Sequence, residues 1–479
     1  MSNNKSILFA ALVLVAAVAG VRCKRANGAY CDDARPCPSG FACDLTAREC
    51  HTVIVGGGGD MSGSTDMAGC TCSGTTPICV AQTCVSCLSS SDPEGACAAA
   101  APSTPHCLTT DPGSGACVAC RDNNDCSGAT PFCDMTTKSC RGCIADTECP
   151  SLICELTPNA VNHGLCVPPS QVVYADPNGD DGPGMGLTPT TPNKTVQHAI
   201  NNAVGLMPVR AFVHVAAGSY NESIGVNNKT IYVVGAAGAI IHPTGGGKDG
   251  VGSQGGGSIT VRNLTVTADM GNGGNCNGGA LIAYQVKFLT SGQTGVVAVN
   301  CTPLLLDGCT VSANKAGGVV VQSGDFTIVN SALVANTGGA GMYQTGGGTT
   351  TVFVNNTIAD NTTGGGVGGM HCVSPTTPLP VNTILFNNKS AGSILSETDC
   401  TGSFLASDQM VGGSAPTVDL AAQAPGFTGG GDYHLVGGSP CLDVGSSTIG
   451  PPPNHDADFK PRPDAKTMKI DLGAYELQQ

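Results

Sequence analysis

Along the second half of this chain, apolar positions, many of them β-branched, alternate with polar ones over short stretches. One nine-residue stretch of this kind keeps returning: VRNLTVTAD (261–269), AYQVKFLTS (283–291), LDGCTVSAN (306–314), IVNSALVAN (328–336), FVNNTIADN (353–361) and PVNTILFNN (380–388). The last positions, 269, 291, 314, 336, 361 and 388, are 22, 23, 22, 25 and 27 residues apart. Alternation of this kind marks short strands with one buried face. A period in the low twenties marks a stacked repeat. Glycine-rich stretches, 338–341 and 364–369 among them, separate the copies and supply turns. No long helical pattern intervenes, and the Leu-x-x-Leu-x-Leu frame of a leucine-rich repeat is absent. The pattern predicts an all-β parallel solenoid with coils about 4.8 Å apart.

The copies favour Asn. That residue tolerates the left-handed backbone of a tight turn, and stacked Asn side chains can hydrogen-bond to one another as a ladder. Both uses are structural.

Ahead of the repeats, Val196, Ala199, Ile200, Ala203 and Val204 recur at helical spacing. They predict a short amphipathic helix, starting at Lys194 or Thr195, that caps the first coil. Strands are expected over 212–220 and 229–235. Beyond Asn388 the period fades, and 438–445, 456–463 and 469–476 read as the distal end.

Composition changes the picture at the N-terminus. Of 27 Cys in the 479 residues, 21 precede position 167. That density predicts a disulfide framework formed in an oxidising compartment. Three C-x-x-C pairs (Cys84/Cys87, Cys117/Cys120, Cys140/Cys143) lack the context of a redox motif and read as structural. Residues 1–22 read as an export leader, with cleavage at Ala19 or, alternatively, lipidation at Cys23. Its apolar run is too short to span a bilayer. The expected order is leader 1–22, small Cys-rich module 23–50, Gly/Ser linker 51–69, disulfide repeats 70–167 and β-solenoid domain 168–479. The mature chain is expected to be secreted or held at the outer cell surface, with no transmembrane segment.

The net charge of −14, with no local cluster of Lys or Arg, argues against a nucleic-acid partner. Residues 170–479 carry 12 Lys and Arg against 20 Asp and Glu, a balance of −8 that disfavours an acidic polymer. There is no Trp, and only Tyr284 and Tyr343 stand out as residues that could stack on a sugar.

Several stretches carry a resemblance. YADPNGDDG (174–182), KTVQHAINNA (194–203) and FVHVAAGSYNESI (212–224) resemble the opening of right-handed parallel β-helix proteins of the pectin-lyase-like superfamily. The tail motifs GSPCLDVG, DADFKPRP and IDLGAYE resemble the closing of bacterial surface β-helix proteins of the choice-of-anchor type. The cysteine modules resemble Cys-rich repeats of secreted bacterial proteins. The resemblance implies a right-handed β-helix outside the cytoplasm and leaves the activity open, because this fold carries lyases, hydrolases, adhesins and inert spikes alike.

No acid/base constellation stands out. Asp325 and Asp360 are the best acidic candidates on the coils, and His371 is followed by Cys372 rather than Gly. The repeats' basic residues, Arg262, Lys287, Lys315 and Lys389, have no acidic cluster beside them in sequence. Asp176, Asn178, Asp180 and Asp181 put oxygen ligands at positions 1, 3, 5 and 6 of a loop and suit Ca²⁺. The competing reading is a turn in which these side chains cap backbone groups. Non-catalytic binding of an extracellular polysaccharide or surface polymer is therefore expected. The alternative is a polysaccharide lyase or glycoside hydrolase of the same superfamily.

Overall fold

The computed structural model describes residues 41–44, 49–52, 75, 77–80, 83–110, 114–158, 160–205, 211–373, 380–391, 395–411, 416–449 and 452–479. The leader, Ala19 and Cys23 lie outside the described residues, as do much of the 23–50 module and most of the linker. The chain divides into two compact units. The smaller contains an antiparallel hairpin, Phe41–Asp44 with Glu49–Thr52. The larger, Ser73–Ile78 with Val85–Gln479, holds the rest of the description that follows.

Its body is a parallel β-solenoid. Sheet 1 has eight strands, from Val172–Ala175 to Thr351–Val354. Sheet 2 has ten, from Gly218–Tyr220 to Val418–Asp419, and sheet 3 has seven, from Ile224–Asn227 to Met370–Cys372. The central coils contribute one strand to each sheet in turn, and the last strands, Ile384–Phe386, Ala406–Ser407 and Val418–Asp419, extend sheet 2 alone. The parallel register stacks like positions. Val266, Phe288, Val311, Leu333, Ile358 and Leu385 form one inward column, all fully buried. Each such side chain stabilises the fold by roughly 1.5–3 kcal/mol.

The helix Val196–Gly205 buries Val196, Ala199, Ile200 and Ala203 in that core and packs on the first two strands of sheet 1. Its first amides are satisfied: Val196 N and Gln197 N donate to the Glu222 carboxylate at 2.7 and 2.9 Å, and His198 N donates to Thr195 Oγ1.

The recurring Asn residues divide their labour differently from expectation. The ninth position of the copies is the ladder. Fully buried Asn314, Asn336, Asn361 and Asn388 each donate from Nδ2 to the Oδ1 of the next, at 2.8–2.9 Å, and Asn388 ends on Glu397 Oε2. The left-handed backbone falls elsewhere. It sits at the third position, on Asn263, Gln285, Gly308, Asn330, Asn355 and Asn382, and at the eighth, on Thr290, Ala313, Ala335, Asp360 and Asn387.

A second correction concerns the tail. It does not simply close the distal end but folds back along the coils as a strap. Gly473 N bonds to Asn382 O, Ala474 N donates to Thr357 Oγ1, and His455 Nε2 lies 3.0 Å from Asp307 Oδ2. The third-position side chains are its docking points: Asn382 pairs with Ser446, Asn355 donates to Asp471 O, and Asn330 accepts from Arg462. The strap explains why the later strands of sheet 2 do not show one exposed face. Ala332–Val334 and Thr357–Ala359 are buried at every position, covered by Phe427, Tyr433 and Tyr475.

The disulfide region is a chain of interlocked pairs. Cys87–Cys107 crosses Cys97–Cys117, Cys120–Cys133 crosses Cys126–Cys140, and Cys143–Cys154 crosses Cys149–Cys166. Each module has few aliphatic residues, and bridges that close short loops replace the missing core. The C-x-x-C pairs Cys117/Cys120 and Cys140/Cys143 are not bridged to themselves. They join the last cysteine of one module to the first of the next, so the structural reading holds. The third module is seated on sheet 1 through Ile153 and Val167 against Val172, Tyr174, Phe212 and Val234. Arg262 fixes it, donating to Asp146 Oδ1 at 2.6 Å and to Cys154 O at 2.8 Å. In the solenoid Cys276–Cys301 and Cys372–Cys400 are bridged, and Cys309 and Cys441 are buried thiols.

Candidate functional site

The outward column of sheet 2 begins polar and ends apolar. Thr265, Lys287 and Thr310 are open, whereas Ala332, Thr357, Ile384 and Ala406 lie under the strap. The open part is the floor of a cleft. At one end the third disulfide module supplies Asp146, Leu152 and Leu156 to a cavity of about 760 Å³. At the other the strap supplies Asp432, His434, Asp458 and Tyr475 to a cavity of about 490 Å³. The two cavities share Gln285 and Lys287 and form one groove across the coils.

The charged groups of the strap end converge on His434. Its Nδ1 bonds to Asp432 and its Nε2 lies 3.0 Å from Asp458 Oδ2, while Lys460 Nζ donates to the same oxygen at 2.8 Å. The Tyr475 ring lies 3.9 Å from the imidazole, centre to centre. Burial opposes the charged form of His434, but the two carboxylates outweigh it and raise its pKa. The His434 contact holds the Asp432 carboxyl below its usual range. Burial pushes the Asp458 carboxyl up, and Lys460 and His434 together bring it below the usual value. The result is a network in which each group faces one of opposite charge type.

The sequence did not show this cluster, because 432–434 and 458–460 are brought together only by the fold-back of the tail. A second grouping was equally hidden. On sheet 3, His371 stacks on Tyr343 at 5.0 Å with rings 3° apart, and its Nδ1 lies 2.6 Å from Asp399 Oδ2. Asp399 also accepts from Cys372 N beside the Cys372–Cys400 bridge. Tyr284, the other Tyr considered for stacking, is buried.

The acidic candidates on the coils are held as structural acceptors. Asp325 Oδ1 accepts from Thr350 N at 2.9 Å in a turn. Asp360, at a left-handed position, accepts from Asn387 Nδ2 at 2.5 Å and from Tyr433 Oη at 2.8 Å. Neither joins the His434 cluster.

The Asp176 loop is built as a turn and a helix anchor. Asp176 accepts from Asn178 N, Asp180 from Gly182 N, and Asp181 from Lys194 N, Thr195 N and Thr195 Oγ1. Among the described residues the loop carboxylates are not part of a group of three His, Cys, Asp or Glu ligands. Asp181→Ala is expected to cost about 1–2 kcal/mol, as loss of a helix cap does, equally with and without Ca²⁺. A melting temperature that falls in chelator, with the fall abolished in Asp180→Ala, would reinstate calcium.

Among the described residues, no helix is long and apolar enough to cross a membrane. Comparison with known proteins adds the following. A model described as "Family of unknown function (DUF8331)" matches residues 56–172. Among solved structures, the crystal structure of pectate lyase Pel9A is similar, with a TM-score of 0.37 and 13% identity, over 64% of this chain and 96% of that chain. No curated protein matches. A model described as "Right handed beta helix region" matches residues 216–401, and over that span this chain is similar to right-handed β-helix proteins.

Proposed function

We propose that this protein binds a polysaccharide of the cell surface or extracellular space in the sheet 2 groove and does not cleave it. The observation that carries the reading is that the charged groups at the strap end of the groove are tied to one another, His434 between Asp432 and Asp458 with Lys460 on Asp458. General acid/base catalysis needs a group poised to give or take a proton near the working pH. Here the His434 contact lowers the Asp432 carboxyl, Lys460 and His434 lower Asp458 against its burial, and the two carboxylates raise His434 against its own, so each group is engaged by its neighbours. The carboxyls pushed upward by burial, Glu222, Glu397, Asp471 and Glu476, line neither cavity of the groove.

The shape supports the same reading. The groove crosses about six coils, roughly 24 Å at about 4.8 Å per coil, an extent that suits a polymer. Its floor of Thr265, Thr310 and Ser312 offers hydroxyls for hydrogen bonding. The leader pattern and the disulfides support a location outside the cytoplasm, where such polymers are found.

Lys287 is exposed in the middle of the groove and, among the described residues, its side chain has no partner. Lys287→Ala should therefore leave the melt unchanged and weaken polysaccharide binding about three- to tenfold, the net worth of one hydrogen bond at an exposed position. Unchanged affinity, measured by titration calorimetry, would remove the groove from the account.

A further inference from the structure

We infer that the first coils of sheet 3 form a second binding site, selective for a neutral, hydroxyl-rich oligosaccharide. The site is a cavity of about 530 Å³ on the outer face of strands Ile224–Asn227, Val251–Gln254 and Gly274–Asn277. Its floor is main chain. Gly225 and Gly252 are register partners, and a Cβ on Gly225 would sit 3.0 Å from Gly252 O. Glycine at such positions lets a ligand approach the backbone closely.

One side of the floor is a column of carboxamides. Asn227, Gln254 and Asn277 are register partners on successive coils, about 4.8 Å apart. All three are exposed. The buried ladder from Asn314 to Asn388 shows what carboxamides do at this spacing when nothing intervenes: they bond to one another. In the sheet 3 column, among the described residues, the three side chains make no hydrogen bond. Each therefore offers an N–H donor and a C=O acceptor outward, and that pair matches two adjacent hydroxyls of a sugar ring.

The opposite side sets the charge. Asp249 accepts from Asn272 N at 2.8 Å, Asn272 Nδ2 at 2.9 Å and Asn275 Nδ2 at 2.6 Å. Its carboxylate is thereby committed to the protein and fixes Asn275. Lys248 is the one cation among the lining residues, and Asp249 balances it. Recognition of a uronate, sulfate or phosphate would call for a pair of cations or an Arg fork, and no such group lines the cavity. The inference does not depend on the sheet 2 groove, which lies on a different sheet and uses different chemistry.

The test is titration calorimetry of the full exported chain with cellohexaose, laminarihexaose, mannohexaose, trigalacturonate and chitosan hexamer. Because the three carboxamides are exposed and unbonded, the triple variant N227A/Q254A/N277A should fold normally. At least one neutral hexamer is expected to bind saturably, at least about tenfold more weakly to the triple variant, and Lys287→Ala should not alter that binding. The inference is overturned if no neutral hexamer binds, if the triple variant binds as the parent does, or if trigalacturonate or the chitosan hexamer binds more tightly than every neutral sugar. Loss with Lys287→Ala alone would assign the sugar to sheet 2 and leave sheet 3 without a site.

Discussion

Arg462→Ala is expected to destabilise the folded chain by about 3–5 kcal/mol, the cost of stranding one partner of a buried ion pair. Arg462 and Glu476 side chains are 0% and 1% exposed and meet at 3.0 Å. Arg462 also donates to Asn330 Oδ1 at 2.9 Å and to Gly473 O at 3.1 Å. One guanidinium thus ties three partners: the Glu476 carboxylate, the backbone at Gly473 and the coil that carries Asn330. Its loss leaves the Glu476 carboxyl buried with no cation beside it. Lys cannot reproduce the fork, so Arg462→Lys should recover little. Urea unfolding checks this. A loss below about 1 kcal/mol would mean that the strap is held by its other contacts and not by Arg462.

The second large effect is on the pH dependence of stability. Glu397 ends the Asn ladder, its two oxygens accepting from Asn388 N and Asn388 Nδ2. Burial, and then the neighbouring Asp408 carboxylate, push its pKa up to about 9. The native state therefore keeps a proton that the unfolded chain has released. Stability contributed by that proton is complete below the unfolded value near 4.5 and is lost as pH rises toward about 9, at roughly 1.4 kcal/mol per pH unit. Glu397→Gln has no proton to lose. It should be less stable than the parent at pH 5, because an amide nitrogen cannot accept from Asn388, and its stability should decline with pH less steeply by about one proton's slope. Parallel slopes for the two proteins between pH 5 and 9 would show that Glu397 does not titrate in this range.

How much of this was legible in the sequence depended on whether a feature repeats. Stacking puts every copy of a position in the same environment, so a period of about 22 residues exposed the solenoid, its inward columns and the ladder at the ninth position. The position of the turn was not legible, because Asn recurs at more than one position of the copy and composition alone does not say which adopts the left-handed backbone. The φ values assign it to the third and eighth. The covered face of sheet 2 left a trace in SALVAN and NTILF, whose apolar residues do not alternate. The trace shows that something packs there without showing what. The groove left none. Asp432, His434 and Asp458 are set against Lys287 and Thr310 by a chain reversal, and such proximity has no sequence period. His371 seemed isolated for the same reason, its partner Asp399 being 28 residues away on the next coil.

The central claim is binding without cleavage, and one measurement tests it most directly. Purified protein is incubated with a panel of neutral and acidic polysaccharides, with and without Ca²⁺. Bound polymer and chain scission are followed in the same samples. The account predicts saturable binding of at least one polysaccharide, weakened in Lys287→Ala, with no new reducing ends and no unsaturated products under any condition. Release of either product, lost on Asp458→Ala or His434→Ala, would contradict it and make the groove the active site of a lyase or hydrolase.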